Sequence, residues 1–213
     1  MTGSRDLAPG RFAPARRLLG TWLLALVALG AAGSGLAQAD EPAGDPAEGR
    51  KVAGTCRTCH GLEGYAKIPI APHIGGEPAA YIEHQLDAFR AGTRTHEMMS
   101  VVAAGLSDKQ IADVAAWYAS QSTQVALPAG KSEDDAPELC VACHGAEGLS
   151  QLPDAPNLAG ETVMYIDTQL KAFRSGKRTH EIMTEIAADL KDEEIRTLAE
   201  WYANVKLTIP PVR

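Results

Sequence analysis

The sequence predicts an all-α fold made of two tandem copies of one small domain. A shift of 84 residues aligns 56–119 with 140–203 without a gap, and 33 of the 64 aligned positions are identical. In each copy, apolar residues recur at helical spacing between capping and breaking residues, with no strand-like alternation around them. We therefore predict one domain at 40–123 and another at 124–213, called here the first and the second copy, after a leader at 1–39.

The leader has the pattern of an export signal. Four arginines precede an apolar run over 18–29, and an A-x-A triplet that ends at Ala39 matches a cleavage site. This predicts a cleaved signal peptide at 1–39, general secretion and a location in the periplasm. An uncleaved membrane anchor is the alternative, although extending the apolar run to Leu36 requires three glycines and a serine.

Start and stop signals in the first copy predict three helices. Asp45, Pro46 and Glu48 combine an N-cap, a proline at the first helical position and a capping-box acid, so the first helix begins here and runs into 56–61. The second helix runs from Pro78 to Gly92, and its apolar face comprises Tyr81, Ile82, Leu86 and Phe89.

The third helix begins at a capping box formed by Ser107 and Gln110 and ends at an aromatic pair. The second copy repeats these signals but departs at its start. Pro137 stands three residues before Cys140, so the first helix of the second copy is expected to be short or broken. The stretch 121–135 is the predicted linker, and the remaining segments are expected to be loops.

All four cysteines lie in two copies of one motif, CRTCHG at 56–61 and CVACHG at 140–145. A C-x-x-C pair followed by histidine is typical of covalent haem attachment, because the two thiols form thioether bonds and the adjacent imidazole binds the iron. The motifs predict two covalently bound haem c groups, held by Cys56, Cys59, Cys140 and Cys143 and ligated axially by His60 and His144.

Three other interpretations of the cysteine pairs are weaker. A zinc site made of two C-x-x-C pairs usually has about 15 to 20 residues between the pairs, whereas about 80 intervene here. A thioredoxin-like dithiol expects a βαβ pattern around the motif. Structural disulfides are common in exported proteins. None of the three requires the repeated histidine.

The second axial ligand is predicted to be a methionine. Met99 and Met183 occupy matching positions in the two copies, whereas Met98 and Met164 have no methionine at the matching position. A thioether is a soft, neutral ligand that favours ferrous iron and raises the reduction potential. We therefore predict Met99 and Met183 as the axial partners of the two histidines.

Other matched or nearby polar residues leave alternatives open. His96 and His180 are duplicated too and compete with the methionines; we expect a surface role or a hydrogen bond near a haem propionate for them. Arg94 and Arg178 pair with propionates or are solvated. The unmatched histidines His73 and His84 are expected to be exposed to solvent.

The order of these motifs resembles a known family. C-x-x-C-H-G, then APHIGG or APNLAG, then methionine and a helix ending in an aromatic pair resembles the class I cytochrome c fold, and the duplication resembles the dihaem cytochromes c4. The resemblance implies that each copy wraps one haem. It also implies that the carbonyls of Pro72 and Pro156 accept hydrogen bonds from Nδ1 of His60 and His144. Finally, it implies that the last helix crosses the first at Trp117, Tyr118, Trp201 and Tyr202.

The charge of the mature chain restricts its partners. Residues 1–39 contain four basic residues and one acidic residue, so 40–213 contain 16 basic and 26 acidic residues, a net charge of −10. This charge argues against nucleic acid and anionic lipid, allows at most peripheral membrane association, and permits steering toward a basic patch on a protein.

These observations predict an electron carrier rather than an enzyme. The expected partners are redox proteins, namely a membrane electron donor complex and a terminal oxidase or reductase. The alternative is the haem c subunit of an oxidoreductase, similar to that of flavocytochrome c sulfide dehydrogenases, with a flavoprotein partner. A dihaem peroxidase would need an open or bis-histidine iron, which Met99 and Met183 argue against. The two copies are expected to pair about a pseudo-two-fold axis, with the haem edges facing each other across a polar interface.

Overall fold

The computed structural model describes residues 44–211. The predicted signal peptide at 1–39 lies outside the described residues, as do 40–43 and 212–213. Both copies belong to one compact unit. The domain boundary predicted between 123 and 124 falls inside this unit and stays a prediction.

The first copy contains five helices in its described part: α1 (Pro46–Ala53), α2 (Arg57–His60), α3 (Ala79–Ala91), α4 (Glu97–Ala104) and α5 (Asp108–Ala119). The predicted ends are confirmed. The Asp45 carboxylate accepts hydrogen bonds at the start of α1, Gly92 ends α3 in the left-handed conformation, and Ser107 begins α5 with a capping box. A turn at 54–56 separates α1 from α2, so the expected continuation into the motif is interrupted.

The second copy begins differently, as Pro137 predicts. Where the first copy has α1, the second has a single 3₁₀ turn at Glu133–Asp135. Its helices are α6 (Glu138–His144), α7 (Val163–Arg174), α8 (Glu181–Ala188) and α9 (Asp192–Ala203). Pro137 is the N-cap of α6, which contains the motif from Cys140 to His144.

Helices α4 and α8 occupy segments that were expected to be loops. Their N-caps are His96 and His180, whose Nδ1 atoms accept hydrogen bonds from backbone N–H groups of the first turn. Histidine is an uncommon N-cap residue, since serine, threonine, aspartate and asparagine are preferred there. The sequence therefore lacks the usual N-cap residue at the positions where α4 and α8 begin.

Two short strands form the other departure from the helical expectation. β1 (Gln124–Ala126) lies in the predicted linker and pairs antiparallel with β2 (Lys206–Thr208), with Val125 opposite Leu207. Three residues are too few to show a period-two pattern. The pairing ties the linker to the last described residues of the second copy.

Each copy has its own apolar cluster. Ile82, Leu86 and Phe89 of α3 pack against α5 in the first copy, and Ile166 and Leu170 of α7 pack against α9 in the second. The first cluster is larger because α1 also crosses α5. None of the helices in 44–211 is long and apolar enough to cross a membrane.

Candidate functional site

The cysteine motifs lie on short helices that end at their histidines. Cys56 is the N-cap of α2 and Cys59 lies in it, so the two thiols are one helical turn apart, and both are partly exposed. His60 is buried. Gly61 follows with φ 75°, and a Cβ there would overlap the carbonyl oxygen of Tyr65. The turn that leads away from the histidine therefore requires glycine.

The motif histidines are held by proline carbonyls. His60 Nδ1 lies 2.9 Å from the carbonyl oxygen of Pro72, and His144 Nδ1 lies 2.8 Å from that of Pro156. Because a carbonyl oxygen only accepts, Nδ1 carries the proton and Nε2 is left with its lone pair. Burial lowers the pKa of both histidines, which favours the neutral form that binds metal. The expected hydrogen bonds are present, and ligation by Nε2 stays a prediction.

One thiol in each copy lies where burial disfavours the thiolate. Burial raises the pKa of Cys56 and raises that of Cys140 to about 11. A redox dithiol requires a lowered thiol pKa, so this environment argues against the thioredoxin-like alternative. None of the four cysteines forms a disulfide, and residues 44–211 contain no cluster of three potential metal-binding side chains. The disulfide and zinc alternatives therefore find no support in the described residues.

The matched methionines pack against the same apolar clusters as one cysteine of each copy. Met99 on α4 and Cys56 pack against the apolar cluster of the first copy, while Met183 on α8 and Cys140 pack against that of the second. Met98, which has no methionine counterpart, is 63% exposed. The structure thus places a cysteine and the shared methionine of each copy on one apolar surface. Their roles as thioether and axial ligands stay predictions.

His96 and His180 serve as N-caps of the methionine helices. His96 Nδ1 accepts from the backbone N–H of Met99 at 3.4 Å, and His180 Nδ1 accepts from that of Met183 at 3.3 Å. This role was not predicted from the sequence. It gives a structural reason for the duplication of these histidines, because each orients the first turn of the helix that carries the methionine.

The aromatic pair at the end of the last helix anchors the loop after each motif. Tyr118 and Tyr202 donate to the carbonyls of Gly61 and Gly145, both at 3.2 Å. The Trp117 indole donates to Leu62 O at 2.8 Å. Trp201 makes the matching bond to Ala146 O at 3.0 Å. The crossing with α1 is present in the first copy, whereas the described second copy has no α1, so the anchoring is the role that both copies share.

His73 corrects an expectation, because it is buried rather than exposed. Its Nδ1 accepts from Ala66 N–H at 2.9 Å, and its Nε2 donates to the carbonyl oxygen of Gly160 in the second copy at 3.0 Å. The burial of His73 was not evident from the sequence, because the matching residue is Asn157 rather than a histidine. His84 is exposed, as expected.

Arg94 and Arg178 link the two copies. Arg94 donates to Gln85 of its own copy at 2.6 Å and to Gln169 of the other at 3.0 Å. Arg178 donates to Gln169 of its own copy at 2.8 Å and to Gln85 of the other at 2.9 Å. The structure therefore places both arginines in a polar junction between the copies, instead of a solvated position.

Glu77 and Glu161 were missed in the sequence, although they match at the 84-residue shift. They are 4% and 2% exposed. Glu77 accepts from the backbone N–H of Asn157, and Glu161 accepts from that of His73. The available signal was weak: an acid is repeated directly after Gly76 and Gly160, but exposed acids such as Glu97 and Glu181 are repeated as well.

The described residues suit covalently attached haem. Each copy offers two thiols one helical turn apart, a buried imidazole with a free Nε2, and a thioether on the same apolar surface. Family comparisons agree. Residues 46–122 match the cytochrome c family, and residues 132–201 match the family of cytochrome c oxidase, cbb3-type, subunit III.

Relatives cover most of the chain. Cytochrome c4 of Pseudomonas aeruginosa is 32% identical over 186 residues, which is 79% of this chain and 90% of that protein. The thiosulfate dehydrogenase electron acceptor of Stutzerimonas stutzeri is 34% identical over 174 residues, 72% and 80% of the two chains. The crystal structure of reduced recombinant cytochrome c4 from Pseudomonas stutzeri has a TM-score of 0.67 and 28% identity, covering 77% of this chain and all of that one. The chain belongs to the dihaem cytochrome c4 family, and is accordingly a c-type cytochrome of electron transfer with covalently bound haem c.

Proposed function

We propose that this protein is a periplasmic electron carrier that holds two haem c groups and passes single electrons between other redox proteins. The observation that carries the proposal is the duplicated centre. In each copy a buried histidine, held at Nδ1 by a proline carbonyl, follows two thiols and has a methionine helix beside it. The expected partners are a membrane donor complex and a terminal oxidase or reductase.

The side chains of each copy have separate tasks in this proposal. The cysteines anchor the porphyrin, the histidine supplies Nε2 and the methionine supplies Sδ as axial ligands. When bound, each haem supplies an iron that changes between ferric and ferrous states by one electron. With both axial positions taken by protein, substrate has no open coordination site, so we propose a carrier and not an enzyme. The export pattern at 1–39 supports the periplasmic location.

A second candidate function is that of a dedicated electron acceptor for one dehydrogenase. The similarity to the thiosulfate dehydrogenase electron acceptor favours this candidate. The dehydrogenase would carry the substrate chemistry, and this chain would remove the electrons one at a time. The acidic surface expected from a net charge of −10 for 40–213 would then meet a basic patch on that enzyme.

The axial ligands can be tested with three alanine variants of the holoprotein. Met99→Ala and Met183→Ala should each remove about half of the thioether-to-iron charge-transfer absorption near the red end of the spectrum, because each deletes one of two such bonds. Met98→Ala is the matched control and should retain the full absorption. Loss of the absorption in the Met98 variant, with retention in the Met99 variant, would overturn the assignment.

Co-purification distinguishes the two candidate functions. A free carrier should be purified from a native extract with no partner bound at a fixed ratio. A dedicated acceptor should instead remain with a dehydrogenase at one-to-one stoichiometry, and this association should weaken with added salt because it is electrostatically steered. A flavin-bearing partner would point to the sulfide dehydrogenase type of complex.

A further inference from the structure

Glu77 and Glu161 are buried acids at the junction between the two copies, close enough for the charge of Glu77 to act on Glu161, and are called here the acidic pair. The exposed fractions of these side chains are only 4% and 2%, and the described residues give neither of them an ion pair. Glu161 Oε2 has no hydrogen-bond partner in the described part of the chain. Burying two carboxylates without a cation is costly, since each loses its hydration. The pair therefore favours holding a proton.

Each glutamate reaches across the junction to one peptide group. Glu161 Oε1 accepts from the N–H of His73 at 2.7 Å. That N–H belongs to the peptide bond whose carbonyl oxygen, on Pro72, accepts from His60 Nδ1 at 2.9 Å. One amide thus joins a carboxyl group of the second copy to the motif histidine of the first.

The mirror-image contact repeats on the other side of the junction. Glu77 Oε2 accepts from the N–H of Asn157 at 2.8 Å. The carbonyl oxygen of the same peptide bond, on Pro156, accepts from His144 Nδ1 at 2.8 Å. The carboxyl group of the first copy is therefore joined to the motif histidine of the second.

We propose that Glu77 and Glu161 form a proton-binding site coupled to electron transfer, in which each carboxyl group tunes the iron-binding histidine of the opposite copy through a single peptide group. This inference rests on the proposed ligation by His60 and His144. Both glutamates are positioning residues, because they act on the iron only through the amide and the imidazole.

The coupling follows from polarisation of the amide. An ionised carboxylate draws on the amide hydrogen and makes the carbonyl oxygen a stronger acceptor for Nδ1–H. The imidazole then becomes a better electron donor, which stabilises ferric iron. A protonated carboxyl group has the opposite effect. The pair would thus take up one proton from solvent, forming an O–H bond on one carboxylate oxygen, when a donor protein supplies one electron to a bound haem, and it would release that proton when the electron leaves.

The surroundings of the two carboxyl groups favour their protonated form. Burial raises the pKa of Glu77 to about 8. Burial, together with the charge of Glu77, raises the pKa of Glu161 well above its ordinary range. Close to the pair, His73 is held neutral by its two hydrogen bonds. Tyr165 also interacts electrostatically with Glu161, and Tyr81, Arg94 and Arg178 interact in turn with Tyr165.

The test is a spectroelectrochemical titration of the holoprotein from about pH 5 to about pH 9, with each haem followed separately by NMR. Wild-type potentials should fall as pH rises. In Glu161→Gln the haem of the first copy should gain about tenfold in electron affinity at alkaline pH, about 59 mV for one electron, and lose most of its pH dependence. Glu77→Gln should do the same to the haem of the second copy.

Glu63→Gln and Glu147→Gln are matched controls, because these acids are also duplicated and follow the motifs, while the hydrogen bonds that Glu77 and Glu161 make across the junction are to His73 and Asn157. They should keep the wild-type pH dependence. A second measurement uses wild-type protein, so its result does not depend on whether the variants fold. Redox-difference infrared spectra should gain a protonated-carboxyl band on reduction.

Three results would overturn the inference. Potentials that do not change with pH, or a pH dependence that survives in both glutamine variants, would assign no coupled proton to the pair. Absence of the carboxyl band would do the same. If the thioether-to-iron absorption is present in these cases, the proposed function stands and only the coupling fails. If that absorption is missing from wild-type protein, the methionine ligation in the proposed function fails, whereas the inference, which rests on His60 and His144, is still decided by the pH titration and the carboxyl band.

Discussion

At the residue scale, His73 and Asn157 occupy matching positions and make equivalent hydrogen bonds with different side chains. Asn157 Oδ1 accepts from Ser150 N–H at 2.8 Å, and its Nδ2 donates to Gly76 O at 2.8 Å. His73 makes the equivalent pair of bonds in the other direction across the junction. A neutral imidazole with its proton on Nε2 therefore has the same donor and acceptor pattern as a carboxamide.

This equivalence predicts that His73→Asn is tolerated. His73→Ala should instead lower the free energy of unfolding by ~1–3 kcal/mol, because it leaves Ala66 N–H and Gly160 O without partners. Denaturant unfolding of the holoprotein measures both changes, and Asn157→Ala is the matched control in the second copy. Equal destabilisation by His73→Asn and His73→Ala would contradict the prediction.

His73 also makes the stability of the protein depend on pH. Burial lowers the pKa of His73, so the folded protein binds fewer protons here than the unfolded chain. Stability from this group is therefore present above the ordinary histidine pKa of about 6.5 and declines as pH falls toward the lowered folded value. His73→Asn should lose less stability than wild type between about pH 7 and about pH 5.

At the element scale, the main difference between the copies is the crossing of α1 and α5. A Cβ on Gly49 would overlap the carbonyl oxygen of Asp113 and lie 2.8 Å from Trp117 Cβ. Asp45 N–H also donates to Asp113 Oδ1 at 2.6 Å. The close approach depends on glycine, and the second copy lacks this crossing in the described residues.

Gly49→Ala should therefore destabilise the protein by ~1–3 kcal/mol, as overpacking does in a tight contact. The first copy should be affected selectively, because Trp117 also anchors the loop after the motif. Gly105→Ala is the control, since its Cβ would be an ordinary 3.5 Å from the nearest atom. Thermal unfolding and the separate haem signals measure the effects, and similar losses in both variants would refute this explanation.

At the scale of the whole molecule, the junction has a pseudo-two-fold pattern. The hydrogen bond of Arg94 to the other copy has a matching bond from Arg178 in the opposite direction. Glu77 and Glu161 are related in the same way. This confirms the predicted pairing through matching polar faces. The symmetry is incomplete, because Thr162 donates to Pro69 O at 2.6 Å, whereas its counterpart is a proline. That the haem edges face each other stays a prediction.

Arg94 and Arg178 share both glutamine acceptors, so their contributions should be coupled. In a double-mutant cycle, Arg94→Ala and Arg178→Ala together should destabilise by less than the sum of the single changes, with a coupling of ~0.5–3 kcal/mol. Arg90→Ala and Arg174→Ala form the control cycle, because each of these arginines bonds only within its own copy in the described residues. Additive behaviour of Arg94 and Arg178 would show that the junction is not one network.

The sequence alone determined the features that depend on neighbouring residues. The 84-residue repeat, the two cysteine–histidine motifs, the capping of α1 and α5 and the break before α6 were all predicted from it. Each rests on contacts within a few positions, where residue type and spacing act directly on the backbone. The shared methionines were found because the chain repeats itself, which supplied an internal comparison.

Only the tertiary structure decided which polar residues are buried together. The bonds of Glu77 to Asn157, His73 to Gly160 and Arg94 to Gln169 join positions 75 to 87 apart in the chain. Such a residue is indistinguishable in sequence from a solvated one, because its burial depends on what the other copy places opposite it. The strands β1 and β2 likewise exist only because the tertiary fold brings two short segments that are distant in the chain side by side. The junction, and with it the proposed proton site, is therefore a property of the assembled pair and not of either copy.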